Sequence, residues 1–255
     1  MSTEPSGVII ATTSTNDIKI LDASGALTET LTVDKRVKLA KFAPNSDSVA
    51  ILSFFGSQAQ VWNLKNKQKL YDISIHGQSQ ISDVCFTPLA GLVAVCSDDC
   101  SWSLHDYEQG KVLLHLREQA QIKTLQIHPD GLIMALGLSN GKILVYDIRD
   151  MQLAHEVEAP EGSGAVSQLA FSNKGRWLAA SWHNSDSCRV YNPLKGFSFV
   201  EVKQEGVPVK TFSFDLYGGF LAVGTAKNLT VCSYKNWKKT LTTLRPFENG
   251  SDAIR

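Results

Sequence analysis

The segment "IHPDGLIMALGLSNGKILVYDIRD", residues 127–150, contains two short apolar runs joined by a tight turn. The first run, 132–136, is continuously apolar, and the second, 143–146, is rich in β-branched and aromatic residues, which is typical of β-strands. Asn140 and Gly141 lie between the runs and predict a type I′ hairpin turn, because both residues tolerate the positive φ that such a turn requires.

A second turn precedes this hairpin and extends the pattern to a longer unit. Pro129 presets φ for the turn and Gly131 is suited to its left-handed position. Four strands are expected in the unit, at 122–127, 132–136, 142–147 and 153–157.

The same order of features recurs along nearly the whole chain. An apolar residue precedes the first turn of each unit at spacings of 41 to 44 residues: Phe42, Phe86, Ile127, Phe171 and Phe214. A pair of residues closes the third strand of each unit: Leu21 and Asp22, Trp62 and Asn63, His105 and Asp106, Tyr146 and Asp147, Tyr191 and Asn192, Cys232 and Ser233. A fixed period near 42 residues is the signature of a repeat architecture.

One four-stranded sheet cannot bury both of its apolar faces, so neighbouring sheets must stack. Radial stacking leaves only short, protected edges, and the pattern therefore predicts an all-β propeller over 7–250. About six blades are expected, at 7–34, 35–77, 78–119, 120–160, 161–206 and 207–247. Residues 1–6 are expected to be a disordered N-terminus, and 251–255 to begin a further blade or to supply a closing strand.

Composition limits the classes of partner. Lysine plus arginine number 25 and aspartate plus glutamate number 25, so the formal charge is zero and a dominant nucleic-acid or anionic-membrane partner is not expected. No apolar run reaches the length of a membrane helix. Cys96 and Cys100 do not have the spacing of a zinc ligand pair. No cofactor, metal, small-molecule substrate or catalytic residue is predicted.

The period, the residues that close the third strand and the "HPDG" turn at 128–131 together resemble the WD40 repeat. In that family a histidine before the first strand, an aspartate in the turn between the second and third strands, and a third-strand tryptophan form a hydrogen-bonded set within a blade. His76, Asp99 and His105 occupy the matching places of one blade. The resemblance therefore implies that these three residues form a structural network.

Longer stretches extend the resemblance. "SDDCSWSLHDYEQGKV" at 97–112 and "VKTFSFDLYGGFLAVGTAKNLTVCSYKNW" at 209–237 are similar to the C-terminal propeller of the pre-mRNA-processing factor 19 family, and the similarity covers roughly 7–255. That resemblance implies a nuclear, non-catalytic docking domain for spliceosomal and ubiquitin-pathway proteins, belonging to a U-box ubiquitin ligase that is also linked to DNA repair.

The chain departs from that family at both ends. No U-box or heptad segment precedes the repeats, and only about six blades can be counted. Residues 252–255 are shorter than a usual innermost strand, so a fragment of a seven-bladed domain is favoured over a closed six-bladed ring. The alternative function is a general WD40 adaptor, or a substrate receptor of another ligase, unrelated to splicing and located in the nucleus or the cytoplasm.

Candidate contact residues lie in the turns between second and third strands. Phe54 and Phe55 follow one second strand, Trp182 and His183 follow another, and Asp98 could add an acidic contact. Aromatic residues in such turns are typical contact hot spots, although they can instead fold back as caps over the blades.

The segment "YKNWKK" at 234–239 could touch RNA, but a lysine-protected edge strand is favoured, so contact with RNA is expected to be weak or indirect.

Overall fold

The computed structural model describes residues 2–3, 9–12, 16–43, 49–75, 79–88, 91–204 and 206–244. The chain forms two compact units, Met1–Ile127 and His128–Arg255. No helix in the described ranges is long and apolar enough to cross a membrane.

Unit 1 consists of short antiparallel strands. Its strands are β1 Ser2–Thr3, β2 Ile9–Thr12, β3 Asp17–Leu21, β4 Leu27–Thr32, β5 Val37–Phe42, β6 Val49–Phe54, β7 Gln58–Asn63, β8 Gln68–Ser74, β9 Ile81–Phe86, β10 Leu92–Ser97, β11 Ser101–Asp106, β12 Lys111–Arg117 and β13 Ile122–Ile127. They include three four-stranded sheets, β1–β4, β5–β8 and β9–β12, in which strands adjacent in sequence are hydrogen-bonded neighbours.

Unit 2 repeats this pattern. Its strands are β14 Ile133–Leu138, β15 Ile143–Asp147, β16 Gln152–Val157, β17 Val166–Phe171, β18 Leu178–Trp182, β19 Ser187–Asn192, β20 Ser198–Lys203, β21 Val209–Phe214, β22 Phe220–Thr225, β23 Leu229–Ser233 and β24 Asn236–Leu244, with a 3-10 turn at Pro193–Lys195. Sheets β17–β20 and β21–β24 again join strands in chain order. We refer to the four strands of each unit of the repeat, in chain order, as a, b, c and d.

The strands expected around the opening segment are confirmed to within two residues, but the hairpin turn differs from the prediction. Gly141 has φ 84°, whereas Asn140 does not have a positive φ, so the turn is not type I′. The Asn140 side chain instead accepts a hydrogen bond of 3.1 Å from the amide of Lys142. The amide of Gly141 donates to the carbonyl of Leu138 at 3.1 Å, and these local bonds favour a wider turn with glycine at its left-handed position.

The N-terminus also departs from expectation. Ser2 and Thr3 pair with Ile10 and Ile9, so this part of the segment 1–6 forms a strand of the first sheet. The physical reason is that β2 would otherwise offer an unpaired backbone edge. The expectations for 251–255 lie outside the described residues.

Within each unit, successive sheets pack face to face. In unit 1, Ile18 and Leu31 of the first sheet pack with Val37 and Phe42 of the second, and a similar cluster joins the second sheet to the third. In unit 2, one cluster joins β14–β16 to β17–β20 and another joins β17–β20 to β21–β24. Each fully buried aliphatic side chain contributes roughly 1.5–3 kcal/mol. The all-β, WD40-type β-propeller predicted from the repeat is confirmed.

Candidate interaction surfaces

Phe54 and Phe55, adjacent at the end of a b strand in unit 1, face opposite environments. Phe54 is 2% exposed and belongs to the core between the first and second sheets, so it cannot be the surface contact that the sequence predicted. Phe55 is 56% exposed, and the guanidinium of Arg36 lies 5.0 Å from its ring centre. Alternation along a strand explains the difference, because neighbouring side chains point to opposite faces.

Asp98 lies in the next b–c turn of unit 1 and is joined to the turn after Phe55 by backbone hydrogen bonds. The Asp98 carboxylate accepts from the amide of Gln80 at 2.8 Å. The neighbouring amide of Ile81 donates to the carbonyl of Gly56 at 2.9 Å. Arg36 and Phe55 are in direct contact, and Asp98 is linked to the turn after Phe55 through residues 80 and 81. We call these three residues the unit 1 patch.

Trp182 in unit 2 is a cap rather than an exposed contact. Its side chain is 0% exposed and its indole N–H donates to the carbonyl of Gly141 at 2.8 Å. This bond joins the end of β18 to the turn between β14 and β15. The prediction of Trp182 as a contact residue is wrong, because the neighbouring sheet covers the ring. His183, the next residue, is exposed and remains a candidate.

The predicted network of His76, Asp99 and His105 is not one connected set in the part of the blade that the structure describes. Asp99 accepts from Ser101 Oγ at 2.6 Å and from Ser97 Oγ. Although partial burial opposes it, these hydrogen bonds hold the pKa of Asp99 below its usual value. His76 lies outside the described residues.

His105 belongs to a different group of contacts. Its Nε2 lies 2.7 Å from Ser103 Oγ and its Nδ1 lies 3.3 Å from Tyr71 Oη. Burial lowers the pKa of His105 to about 4, so the ring is neutral at physiological pH. His105 and Asp99 each support the blade, but through separate partners.

Three a strands of unit 1 share a polar network that the sequence did not reveal. Lys41 Nζ lies 2.7 Å from Asp83 Oδ1, and Asp83 Oδ2 accepts from Thr124 Oγ1 at 3.0 Å and from the amide of Leu125 at 3.1 Å. Asp83 thereby connects β5, β9 and β13. Every oxygen has a partner, as a buried carboxylate requires, and the arrangement is structural rather than catalytic.

Cys96 and Trp237 are both held in packed surroundings. Burial raises the pKa of the Cys96 thiol well above its usual value, which disfavours the thiolate that zinc would bind.

Trp237, in the segment considered for RNA contact, is 3% exposed and packs edge-to-face on Trp177 at 5.6 Å. Its ring is therefore not available to stack on a base.

A groove in unit 2 was missed by the sequence reasoning. It encloses about 730 Å³ between the a–b and c–d turns, at the opposite strand ends from the b–c turns considered above. We call it the turn groove, and its most prominent side chains are Lys174, Arg176, Leu194, Phe197, Tyr217 and Tyr234. An aliphatic residue in a turn, Leu194, was a signal in the sequence, but the convergence of these turns required the fold.

Comparison with known proteins agrees with the fold. The family model described as "WD domain, G-beta repeat" matches residues 67–106 and 152–192. Each match runs from a strand d through strands a, b and c of the following unit, so one sequence repeat contributes to two consecutive units. These two stretches of the chain therefore match WD40 repeats.

The repeats are similar along most of the chain to one named protein. The chain is 24% identical over 233 residues to pre-mRNA-processing factor 19 of Oryza sativa subsp. japonica, covering 88% of this chain and 44% of that protein. It is 26% identical over 258 residues to pre-mRNA-processing factor 19 of Caenorhabditis elegans, covering 91% of this chain and 51% of that protein. The chain thus spans about half the length of these relatives.

Over a shorter stretch, the chain is also similar to a different protein. The chain is 26% identical over 141 residues to telomerase protein component 1 of Mus musculus, covering 55% of this chain and 5% of that protein.

Proposed function

We propose that the chain is a non-catalytic WD40 scaffold that docks proteins of the pre-mRNA-splicing and ubiquitin machinery in the nucleus. The observation that carries the proposal is the similarity to pre-mRNA-processing factor 19, which extends over 88% and 91% of the chain in two distant organisms and so includes the repeat array rather than one blade. Contact with RNA is weak or indirect in this proposal.

The unit 1 patch supplies a physical basis for docking. An exposed phenylalanine is an unusual residue to leave in a turn, and Phe55 is held by Arg36 at 5.0 Å rather than by the core. Aromatic and arginine side chains dominate the binding free energy of protein interfaces. Asp98 adds an opposite charge that would select the partner's orientation.

His183 offers a separate contact in unit 2. It is exposed directly after the buried Trp182, and its amide donates to the carbonyl of Ala165 at 2.9 Å. The backbone at this position is therefore held while the imidazole is available to a partner.

The test is affinity capture of the chain from nuclease-treated nuclear extract, with the bound proteins quantified by mass spectrometry. The comparison is wild type, Phe55→Ala and a control, Val112→Ala, whose side chain is 58% exposed in the same unit. We expect splicing proteins on the wild type and the control, and about tenfold less on Phe55→Ala, the effect of removing one interface hot spot. Equal recovery on all three would contradict docking by the unit 1 patch.

A second candidate, a general WD40 adaptor outside splicing, is favoured by the similarity to telomerase protein component 1. In the same experiment this function predicts reproducible capture of proteins unrelated to splicing, with the same loss on Phe55→Ala. Recovery of chaperones alone would argue against both candidates.

A further inference from the structure

The turn groove in unit 2 combines an apolar surface with a cationic rim. Leu194 is 86% exposed, Tyr217 is 74% exposed and Tyr234 is 44% exposed, all at the ends of strands that are otherwise well packed. Large apolar side chains brought together at one concave site mark a binding site more often than scattered single exposures do. The volume of about 730 Å³ is within the range of ligand-binding clefts.

Phe197 in the groove occupies a strained backbone position. It directly precedes a strand d and has φ 57°, as do Lys67 with φ 55° and Met151 with φ 58° before two other d strands, while Gly110 with φ 68° takes this position before a third. A bulky residue in the left-handed region is unusual and persists only where its surroundings fix it. The ring of His155 stacks on Phe197 at 4.6 Å and 13°, and this contact holds the side chain in place.

The charges of the turns around the groove are mostly positive. Four exposed cations lie in or beside its lining turns: Lys174, Arg176, Lys195 and Lys235. Among the described residues, none of the four has a carboxylate within ion-pair distance. Their charges are therefore available to a ligand.

The carboxylates of the same turns are already engaged. The Asp130 carboxylate lies 2.7 Å from His128 Nδ1 and accepts from the amide of Leu132 at 2.8 Å. Asp215 accepts from the amides of Phe220 at 2.7 Å and Tyr217 at 3.1 Å within its own turn. Neither carboxylate lies within ion-pair distance of the four cations of the rim.

We infer that the turn groove binds an acidic peptide segment that inserts one large apolar side chain between Leu194 and Phe197 and places its carboxylates on Lys174 and Arg176. The acidic residues of such a peptide complement the cationic rim. Its apolar side chain would cover the exposed apolar side chains of the groove, which a ligand that binds by charge alone would leave exposed. A single-stranded nucleic acid fits less well, because the chain carries no net positive charge. This site goes beyond the scaffold role proposed above and does not depend on splicing.

The experiment is selection of a phage-displayed library of random 12-residue peptides on the whole chain. The selected pool is then counter-screened on the charge-reversed variant Lys174→Glu/Arg176→Glu. We expect enrichment of peptides in which aspartate or glutamate flanks leucine, phenylalanine or tryptophan. Binding of the most enriched peptide, synthesised with a fluorescein label, is then measured by anisotropy at two salt concentrations.

The variants separate groove binding from general charge attraction. We expect Lys174→Glu/Arg176→Glu to lower the affinity for the peptide at least tenfold and Leu194→Ala to lower it about fivefold. The first variant removes the charged part of the contact and the second removes the apolar part. A control of equal charge change, Lys111→Glu/Lys123→Glu, alters exposed lysines in unit 1 and should leave the affinity within twofold. Phe55→Ala should also leave it unchanged.

Several outcomes would overturn the inference. They are the absence of enrichment, enrichment of peptides without acidic residues, or an affinity that is equal on the groove variants and on the control. Tighter binding of a fluorescein-labelled 15-nucleotide polyuridine, with loss on the same groove variants, would assign the groove to nucleic acid instead. None of these outcomes bears on capture of splicing proteins through the unit 1 patch.

Discussion

At the scale of single residues, Trp182 and Phe55 show that an aromatic residue at the end of a b strand can be either buried or exposed. Both lie at the end of a b strand, and the sequence predicted both as contacts. Trp182 is 0% exposed because a neighbouring sheet covers it and a backbone carbonyl accepts its N–H, whereas Phe55 is 56% exposed. The sequence does not contain this distinction, because burial in a turn depends on the neighbouring sheet.

Removing the Trp182 side chain should therefore destabilise the protein strongly. We expect Trp182→Ala to lower the free energy of unfolding in urea by about 3–5 kcal/mol, the cost of truncating a fully buried tryptophan. Phe55→Ala serves as the surface control and should change it by no more than about 0.5 kcal/mol. A Trp182→Ala variant as stable as the control would mean that the ring is not a cap.

Substitution of Gly141, whose carbonyl accepts the Trp182 N–H, should also destabilise the protein. A Cβ at this position would lie 2.8 Å from the Cβ of Ala159 and 2.9 Å from the carbonyl oxygen of Gly164, and φ is 84°. Gly141→Ala should cost about 2 kcal/mol or more, because strain and a clash add. Gly110→Ala, with φ 68° and nothing within 4 Å, should cost only about 1 kcal/mol, so equal melting temperatures for the two variants would refute the clash.

His105 makes stability depend on pH in a defined window. Its pKa is about 4 when folded against 6.5 when unfolded, so the unfolded chain binds more protons between these values. The stabilisation is complete above pH 6.5 and is lost as pH falls toward 4, by at most about 1.4 kcal/mol per pH unit. In urea titrations from pH 7 to 4.5, His105→Asn should have a flatter profile than wild type. Parallel profiles would show that another group is responsible.

At the scale of elements, strand positions followed from periodicity, but the polar links between strands did not. The a strands carry apolar residues such as Leu39, Val84 and Leu125. Val84 and Leu125 are indeed buried, yet the adjacent Asp83 joins three a strands. Lys41 and Asp83 are 42 residues apart, and only the packing of blades reveals that they meet.

This network predicts an asymmetric response to substitution. Asp83→Ala leaves Thr124, Leu125 and Lys41 without their acceptor and should cost about 3 kcal/mol, allowing for the partial exposure of Lys41. Lys41→Met removes one ion that is 28% exposed and should cost about 1 kcal/mol. A double-mutant cycle in urea should show positive coupling between the two positions. Equal costs for the single variants would mean that Asp83 does not organise the network.

At the scale of the molecule, the repeat period was the strongest signal in the sequence. It predicted the four-stranded units, the WD40-type propeller and the resemblance that the comparisons support. The turn groove could not be predicted, because its lining comes from turns near 128–130, 172–176, 193–197, 217–219 and 234. Each turn is ordinary by itself, and their convergence follows from the packing of successive sheets.

Docking of splicing proteins by the unit 1 patch is the central claim, and site-specific photo-cross-linking tests it most directly. A benzoylphenylalanine at position 55, which already carries an exposed phenylalanine, would be activated in nuclease-treated nuclear extract, with the same probe at position 112 as control. The account predicts cross-links from position 55 to splicing proteins and few from position 112. Identical products from both positions, or none to splicing proteins from position 55, would contradict it.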